Sequence, residues 1–173
     1  MRGGTHSGAA TAYGREKFMS DYPRLPPRLT RIFPNNPLFF VTFCAHRRRK
    51  FLATNSVNTA FLEFGSRAHE IHNVAVGRYV VTPDHLHLFV CGPDDFELGR
   101  WVGALKQHLA KAVGSTKPSR TIWQRGFFDH VLRSNESYGQ KWIYVRENPV
   151  RAGLVEKAED WPYQGEIVYI DRA

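Results

Sequence analysis

Two histidines one residue apart, His85 and His87, lie in the run Thr82-Pro83-Asp84-His85-Leu86-His87-Leu88-Phe89-Val90. On an extended strand side chains alternate between faces, so His85, His87 and Phe89 share one side while Leu86, Leu88 and Val90 share the other. The imidazoles are then about 6.8 Å apart along the strand, near enough for both to reach one divalent ion. Taken alone, such a pair is more often two hydrogen-bonded histidines on a half-exposed strand. A second polar set follows between Ser134 and Pro149, where Ser137, Lys141, Tyr144 and Asn148 recur at helical spacing opposite Tyr138, Trp142 and Val145. Tyr144 and Asn148 are one turn apart, about 6 Å along a helix axis, so a phenol and a carboxamide reach the same side. A phenol is a weak nucleophile at neutral pH and needs help to attack. The third group is cationic: His46-Arg47-Arg48-Arg49-Lys50 follows an apolar run, a placement that suits phosphate contacts, although solvated charge is the commoner cause of such clusters.

The elements that must position these groups follow from periodicity. Leu38 to Cys44 is aromatic and β-branched, a buried strand. Val57, Ala60, Phe61, Phe64, Ala68 and Ile71 form a helical stripe with Asn55 or Ser56 available as cap, and His69 and His72 on that helix read as surface histidines. Val74 to Val81 is a strand, Thr82-Pro83-Asp84 a tight connection, and His85 to Cys91 its antiparallel partner. Gly92-Pro93 breaks that strand, and Leu98, Trp101, Val102, Leu105, Leu109 and Ala112 mark a second helix whose Arg100, Lys106, Gln107 and Lys111 take the polar faces. Thr121 to Arg133 holds a strand with Gly126 as a bulge or close approach. A third helix is predicted from Ser134, as N-cap, toward Pro149, with Asn148 biased away from helical angles by the proline after it. Asp160 to Tyr163 reads as an aromatic corner and Ile167 to Ile170 as a final short strand. This order is the split βαβ plan of an α+β, ferredoxin-like sandwich with an antiparallel sheet and an appended C-terminal helix.

A chain of 173 residues with 42% hydrophobic and 13% aromatic content is the size of one domain with a real core, predicted over residues 35–173. Residues 1–34, interrupted by Pro23, Pro26, Pro27 and Pro34, read as a flexible basic arm. The net charge of +8 is polarised: residues 1–50 hold 10 basic and 2 acidic side chains, and the remainder holds 14 of each. Such a segment attracts a polyanion, nucleic acid before membrane. Cys44 and Cys91 have no CxxC partner, which argues against a zinc site or a disulfide framework and for reduced thiols in the cytoplasm. No run reaches membrane-spanning length, so a soluble protein that is not exported is expected.

The combination of Val81 to Phe89, Trp123 to Arg133, Tyr144 with Asn148-Pro149-Val150-Arg151-Ala152-Gly153-Leu154-Val155, and Asp160-Trp161-Pro162 resembles the REP-associated tyrosine transposases, a branch of the single-tyrosine HUH transposases. The resemblance covers roughly residues 35 to 163. It implies that His85 and His87 are metal ligands for Mg²⁺ or Mn²⁺, that Asn148 is the third ligand, and that Tyr144 is the nucleophile. It further implies attack on a phosphodiester of single-stranded DNA beside a hairpin of the repetitive extragenic palindrome type, giving a 5′-phosphotyrosine link and a free 3′-OH. Arg47, Arg48, Arg49, Lys50, Arg125, Lys141 and Arg151 are the cations expected to contact DNA, with a monomer favoured over a dimer. Phe128 departs from the tyrosine of many relatives, and Tyr138 and Tyr163 are rival phenols that also read as packing aromatics.

Two other readings fit the same residues. A domesticated hairpin-DNA binder without chemistry would keep the basic arm and the exposed aromatics. A small RNA-processing nuclease would use the same metal site and tolerate a 2′-OH.

Overall fold

The computed structural model describes residues 36–114, 121–132 and 138–170. The expected arm over residues 1–34 and the expected cap at Ser134 lie outside the described residues. In chain order the elements are β1 (Leu38–Cys44), α1 (Asn55–His72), β2 (Ala75–Val81), β3 (His85–Cys91), α2 (Leu98–Ala112), β4 (Phe128–Leu132), α3 (Tyr138–Arg146), α4 (Asn148–Arg151) and β5 (Gln164–Glu166). The strands form one antiparallel sheet in the order β4-β1-β3-β2-β5. Its first four members have the ferredoxin-like order, and β5 is added outside β2.

Alternation along the central strand divides the molecule into two layers. Leu86, Leu88 and Val90 of β3 join Val41 and Phe43 of β1 in a core completed by Val57 and Phe61 of α1 and Val102, Leu105 and Leu109 of α2. Phe89 and Cys91 face the other way, with Leu38 and Phe40 of β1, Tyr138 and Val145 of α3, and Trp161, Val168 and Ile170 of the C-terminal segment. Two helices therefore cover one face, and α3 with the C-terminal segment covers the other. Fully buried leucine and phenylalanine side chains contribute about 1.5–3 kcal/mol each to such layers. His85 and His87 belong by register to the α3 face.

Several local expectations are corrected. Thr54, not Asn55 or Ser56, caps α1, its Oγ1 accepting from the Val57 N–H at 3.3 Å. Ile71 falls off the buried stripe and is exposed, while His69 is buried at 4% exposure because its turn faces the sheet side of the helix. Lys106, expected in solvent, is also buried: its stem lies along α2 and its ammonium donates to the Gln124 carbonyl at 3.2 Å and to that of Gly126. The last strand forms at Gln164–Glu166, earlier than the apolar run suggested, because the Arg78 to Val80 edge of β2 pairs there. Asn148, although followed by proline, starts the short helix α4, with Pro149 in the first turn where its missing N–H costs nothing.

Candidate functional site

The histidine pair is fixed from below by the Thr82-Pro83-Asp84 turn. The Thr82 N–H donates to the His85 carbonyl at 2.8 Å, and the Pro83 carbonyl accepts from the N–H groups of Phe51 and Leu52 at 2.8 and 2.9 Å. The Asp84 carbonyl accepts from the Ala45 N–H at 2.8 Å, which ties the turn to the end of β1. On this base the two imidazoles stand nearly perpendicular at 83°, with centroids 4.6 Å apart, closer than the strand rise alone requires.

Each ring is held through Nδ1. His85 Nδ1 lies 2.7 Å from Asp84 Oδ1 and 2.7 Å from Thr82 Oγ1, and Arg48 Nε in turn reaches Asp84 Oδ2 at 2.9 Å. His87 Nδ1 lies 2.6 Å from Thr42 Oγ1, on the neighbouring strand in the pair Thr42 with His87. Phe40 stacks on the same ring at 5.5 Å and 19°. With Nδ1 engaged in both, Nε2 is the nitrogen each ring presents for coordination, the arrangement in which a hydrogen-bonding partner orients a metal-binding histidine.

Burial keeps both rings neutral. Burial pushes the pKa of His87 down to about 3, helped by the charges of His85, Arg48 and Arg151. Burial also lowers His85, and it outweighs Asp84, whose carboxylate pulls the other way. The close Asp84–His85 contact is therefore a hydrogen bond to a neutral imidazole. For Asp84 burial works upward, yet His85, Arg48 and Thr82 together hold its carboxyl below the usual range. A neutral imidazole is the form that ligates metals.

Of the second polar set Ser137 lies outside the described residues, and Lys141 and Tyr144 lie on α3, which packs over the same face, with Asn148 at the start of α4. Burial of Tyr138 and Val145 seats α3 on the sheet and turns Tyr144 outward, where it is 65% exposed. Asn148 donates through Nδ2 to the Val145 carbonyl at 2.9 Å and accepts at Oδ1 from Arg151 Nη2, also at 2.9 Å. Arg151 Nη2 reaches the Tyr144 carbonyl at 2.8 Å as well, and its guanidinium carbon sits 4.5 Å from the centre of the Tyr144 ring. Tyr144, Asn148 and Arg151 are thus one cluster. Lys141, on the same helix as Tyr144, places its Nζ 5.2 Å from the Phe40 ring that stacks on His87.

The other expected cations are spread more widely. Arg47, Lys50 and Arg125 are exposed, Arg125 in the turn before β4. Arg48 is committed to Asp84, and Arg49 donates to the Thr121 carbonyl at 2.8 Å. Of the rival phenols, Tyr138 is 3% exposed, accepts the Arg78 N–H at 3.0 Å and has its ionisation pushed well up by burial, so a substrate does not reach it. Tyr163 packs edge-on against Trp161. Among the described residues no group of three or more His, Cys, Asp or Glu could hold a metal ion. Thr42 and Asp84 are parts of the site that sequence reasoning assigned no role. Thr42 left one signal, a lone hydroxyl in an otherwise apolar strand.

Comparison with known proteins places the chain in a family. Residues 38–146 match the family described as Transposase IS200 like. A REP-associated tyrosine transposase of Escherichia coli is 33% identical over 91 residues, 51% of this chain and 52% of that protein, so the match spans about half the relative's length. A Haemophilus influenzae protein given the same designation provisionally is 28% identical over 144 residues, 77% of this chain and 81% of its own. A solved REP-associated tyrosine transposase bound to a REP hairpin has the same fold, with a TM-score of 0.62 at 22% identity over 79% of this chain and 90% of that one. The family match runs from the first residue of β1 to the last of α3 and so takes in the histidine pair and Tyr144: this chain belongs to the IS200-like transposase family, alongside REP-associated tyrosine transposases.

Proposed function

We propose that this protein cleaves and rejoins one strand of single-stranded DNA beside a hairpin, through a 5′-phosphotyrosine intermediate on Tyr144. The observation that carries this reading is the exposed phenol on α3, seated on the sheet face that presents two imidazoles with Nδ1 already tied. The donor set fits a divalent ion. His85 and His87 offer Nε2, and an amide oxygen has two acceptor sites, so Asn148 Oδ1 keeps one beyond its bond from Arg151. Mg²⁺ or Mn²⁺ held there would act as a Lewis acid on a phosphodiester oxygen, with two nitrogens tilting preference toward Mn²⁺.

The chain's own residues do the rest. Tyr144 Oη attacks phosphorus as its phenolic proton passes to solvent, the P–O3′ bond breaks, and the leaving 3′ oxygen takes a proton from solvent to become a hydroxyl. Arg151 holds the Tyr144 ring by its face and Lys141 stands on the same side, so both oppose the charge of the phosphate. The exposed Arg47, Lys50 and Arg125 extend the positive surface along the bound strand, while Arg48 and Arg49, already tied to Asp84 and to the Thr121 carbonyl, add their charge from fixed positions. Hairpin recognition comes from the relative bound to a REP hairpin, carried over to this chain, which we take to act as a monomer in the cytoplasm. Among the described residues no helix is long and apolar enough to cross a membrane.

The test is incubation with a labelled hairpin library and Mn²⁺, then a denaturing gel and mass analysis. A covalent adduct on Tyr144, lost in Tyr144→Phe and in His85→Ala, is expected. An adduct that survives Tyr144→Phe overturns the assignment, and tight binding with no adduct under any divalent ion assigns the protein to hairpin binding without chemistry.

A further inference from the structure

Phe128 is 59% exposed on β4, the edge strand of the sheet. An exposed aromatic on an edge strand costs solubility and invites association, and natural edges usually carry charge there instead. The ring is nonetheless held in place: it meets Phe40 at 6.5 Å and 69°, and Phe40 stacks on His87 at 5.5 Å. An aromatic path therefore runs from the histidine pair to the rim of the sheet.

The register fixes where the ring stands. Phe128 pairs with Thr42, and Thr42 pairs with His87, so the three lie in one row across β4, β1 and β3. Two strand spacings separate Phe128 from His87, about 10 Å, a span that one or two nucleotides of an extended strand bridge. Lys141 lies over Phe40 between them and supplies positive charge on this face. The neighbouring Asp129 pairs with Val41, whose side chain joins the helix-covered core, so its carboxylate is turned away from the row. Val131, the other exposed apolar residue of β4, pairs with Phe39 and also points to the helix side. On the histidine side β4 carries Phe128, the half-buried His130 opposite Phe40 and the buried Leu132, and of these the Phe128 ring is the one open to a flat partner.

We propose that Phe128 is the stacking platform for one unpaired nucleobase of the DNA strand, a nucleotide or two from the phosphate at His85 and His87. This rests on the proposed function, since it takes the histidine pair as the place of the scissile phosphate. It would assign to the Phe128 ring part of the affinity for the single-stranded flank that the proposed function already requires, because a paired base cannot leave its stack without cost.

The experiment uses the Tyr144→Phe protein, which leaves DNA uncleaved, and measures binding by fluorescence anisotropy at fixed salt. Phe128→Ala is expected to weaken binding to a flanked hairpin on the order of 10- to 100-fold, the usual reach of one base–aromatic stack, and to leave a blunt hairpin unaffected. Phe128→Trp should restore affinity, with its indole emission quenched on binding. An abasic site walked along the flank should, at one position, abolish the difference in affinity that Phe128→Ala makes. Equal binding of all variants to flanked DNA overturns the proposal, as does a Phe128→Ala protein that binds DNA normally but shifts from dimer to monomer in sedimentation. Flank-dependent binding through Phe128 in a wild-type chain that forms no adduct would sink only the catalytic reading.

Discussion

Replacing Thr42 by valine removes one hydroxyl and almost no volume. The Thr42 Oγ1 to His87 Nδ1 contact, 2.6 Å long, is the bond that orients the His87 ring from the neighbouring strand. In Thr42→Val the Nδ1 site, buried between Phe40 and the strand, has lost its partner and gained none. A buried polar group left in that state costs about 1–3 kcal/mol, which for a domain of this size lowers Tm by several degrees. Without the bond the ring loses the contact that orients it, and the loss of such a partner to a metal-binding histidine typically weakens metal binding about 10- to 100-fold. Thr42→Ser keeps the hydroxyl and should recover most of the affinity. The assay is Mn²⁺ titration by electron paramagnetic resonance on folded protein, with the histidine tautomer read by ¹⁵N nuclear magnetic resonance. A Thr42→Val protein with unchanged Tm and unchanged Mn²⁺ affinity would refute the claim that this hydroxyl positions the ligand.

Three further outcomes follow from other contacts. In Gly77→Ala the new Cβ would stand 2.7 Å from Tyr138 Oη and 2.8 Å from Ile170 Cδ1, so the seating of α3 must shift; a stability loss of about 1–3 kcal/mol in urea unfolding is expected, and none would show that the face is soft. The pKa of His87, near 3 when folded and 6.5 ordinarily, makes the unfolded chain take up a proton the native one refuses, so stability falls as pH drops from 6.5 toward 3 with a slope approaching about 1.4 kcal/mol per pH unit. His85 is lowered in the same direction and steepens the slope, and metal-free unfolding curves that stay flat from pH 6.5 to 5 would contradict it. Lys106→Met strands the carbonyls of Gln124 and Gly126, so the turn between them should open and trypsin should cut after Arg125 faster than in the parent protein at a temperature where both remain folded.

Much of this arrangement was legible in the chain itself. Period-two patterning in His85 to Cys91 sorted the imidazoles from Leu86 and Leu88, and helical spacing sorted Tyr144 from Tyr138, because burial on one face leaves its mark at every second or every third and fourth position. The residues that escaped are those whose role depends on a neighbour distant in sequence. Thr42 acquires meaning only once β1 is registered against β3, which no local pattern specifies. Lys106 sits at the border of the apolar stripe of α2, and its burial is decided by two loop carbonyls that only the tertiary fold brings over it. Phe128 read as one more strand aromatic until the row it occupies placed it beside His87.

The two-layer division also sets an order of assembly. The helix-covered core draws most of its buried residues from before Gly114, with Ile122 and Trp123 added after it, so a chain translated that far already contains most of that side. The opposite side waits for Tyr138, Val145, Trp161, Val168 and Ile170, contributed by the last segments described. Until those arrive, Phe40 and Phe89 face solvent and Tyr144 is not yet made. Both histidines are synthesised well before Tyr144, so the two parts of the candidate site come together only once α3 docks on the sheet.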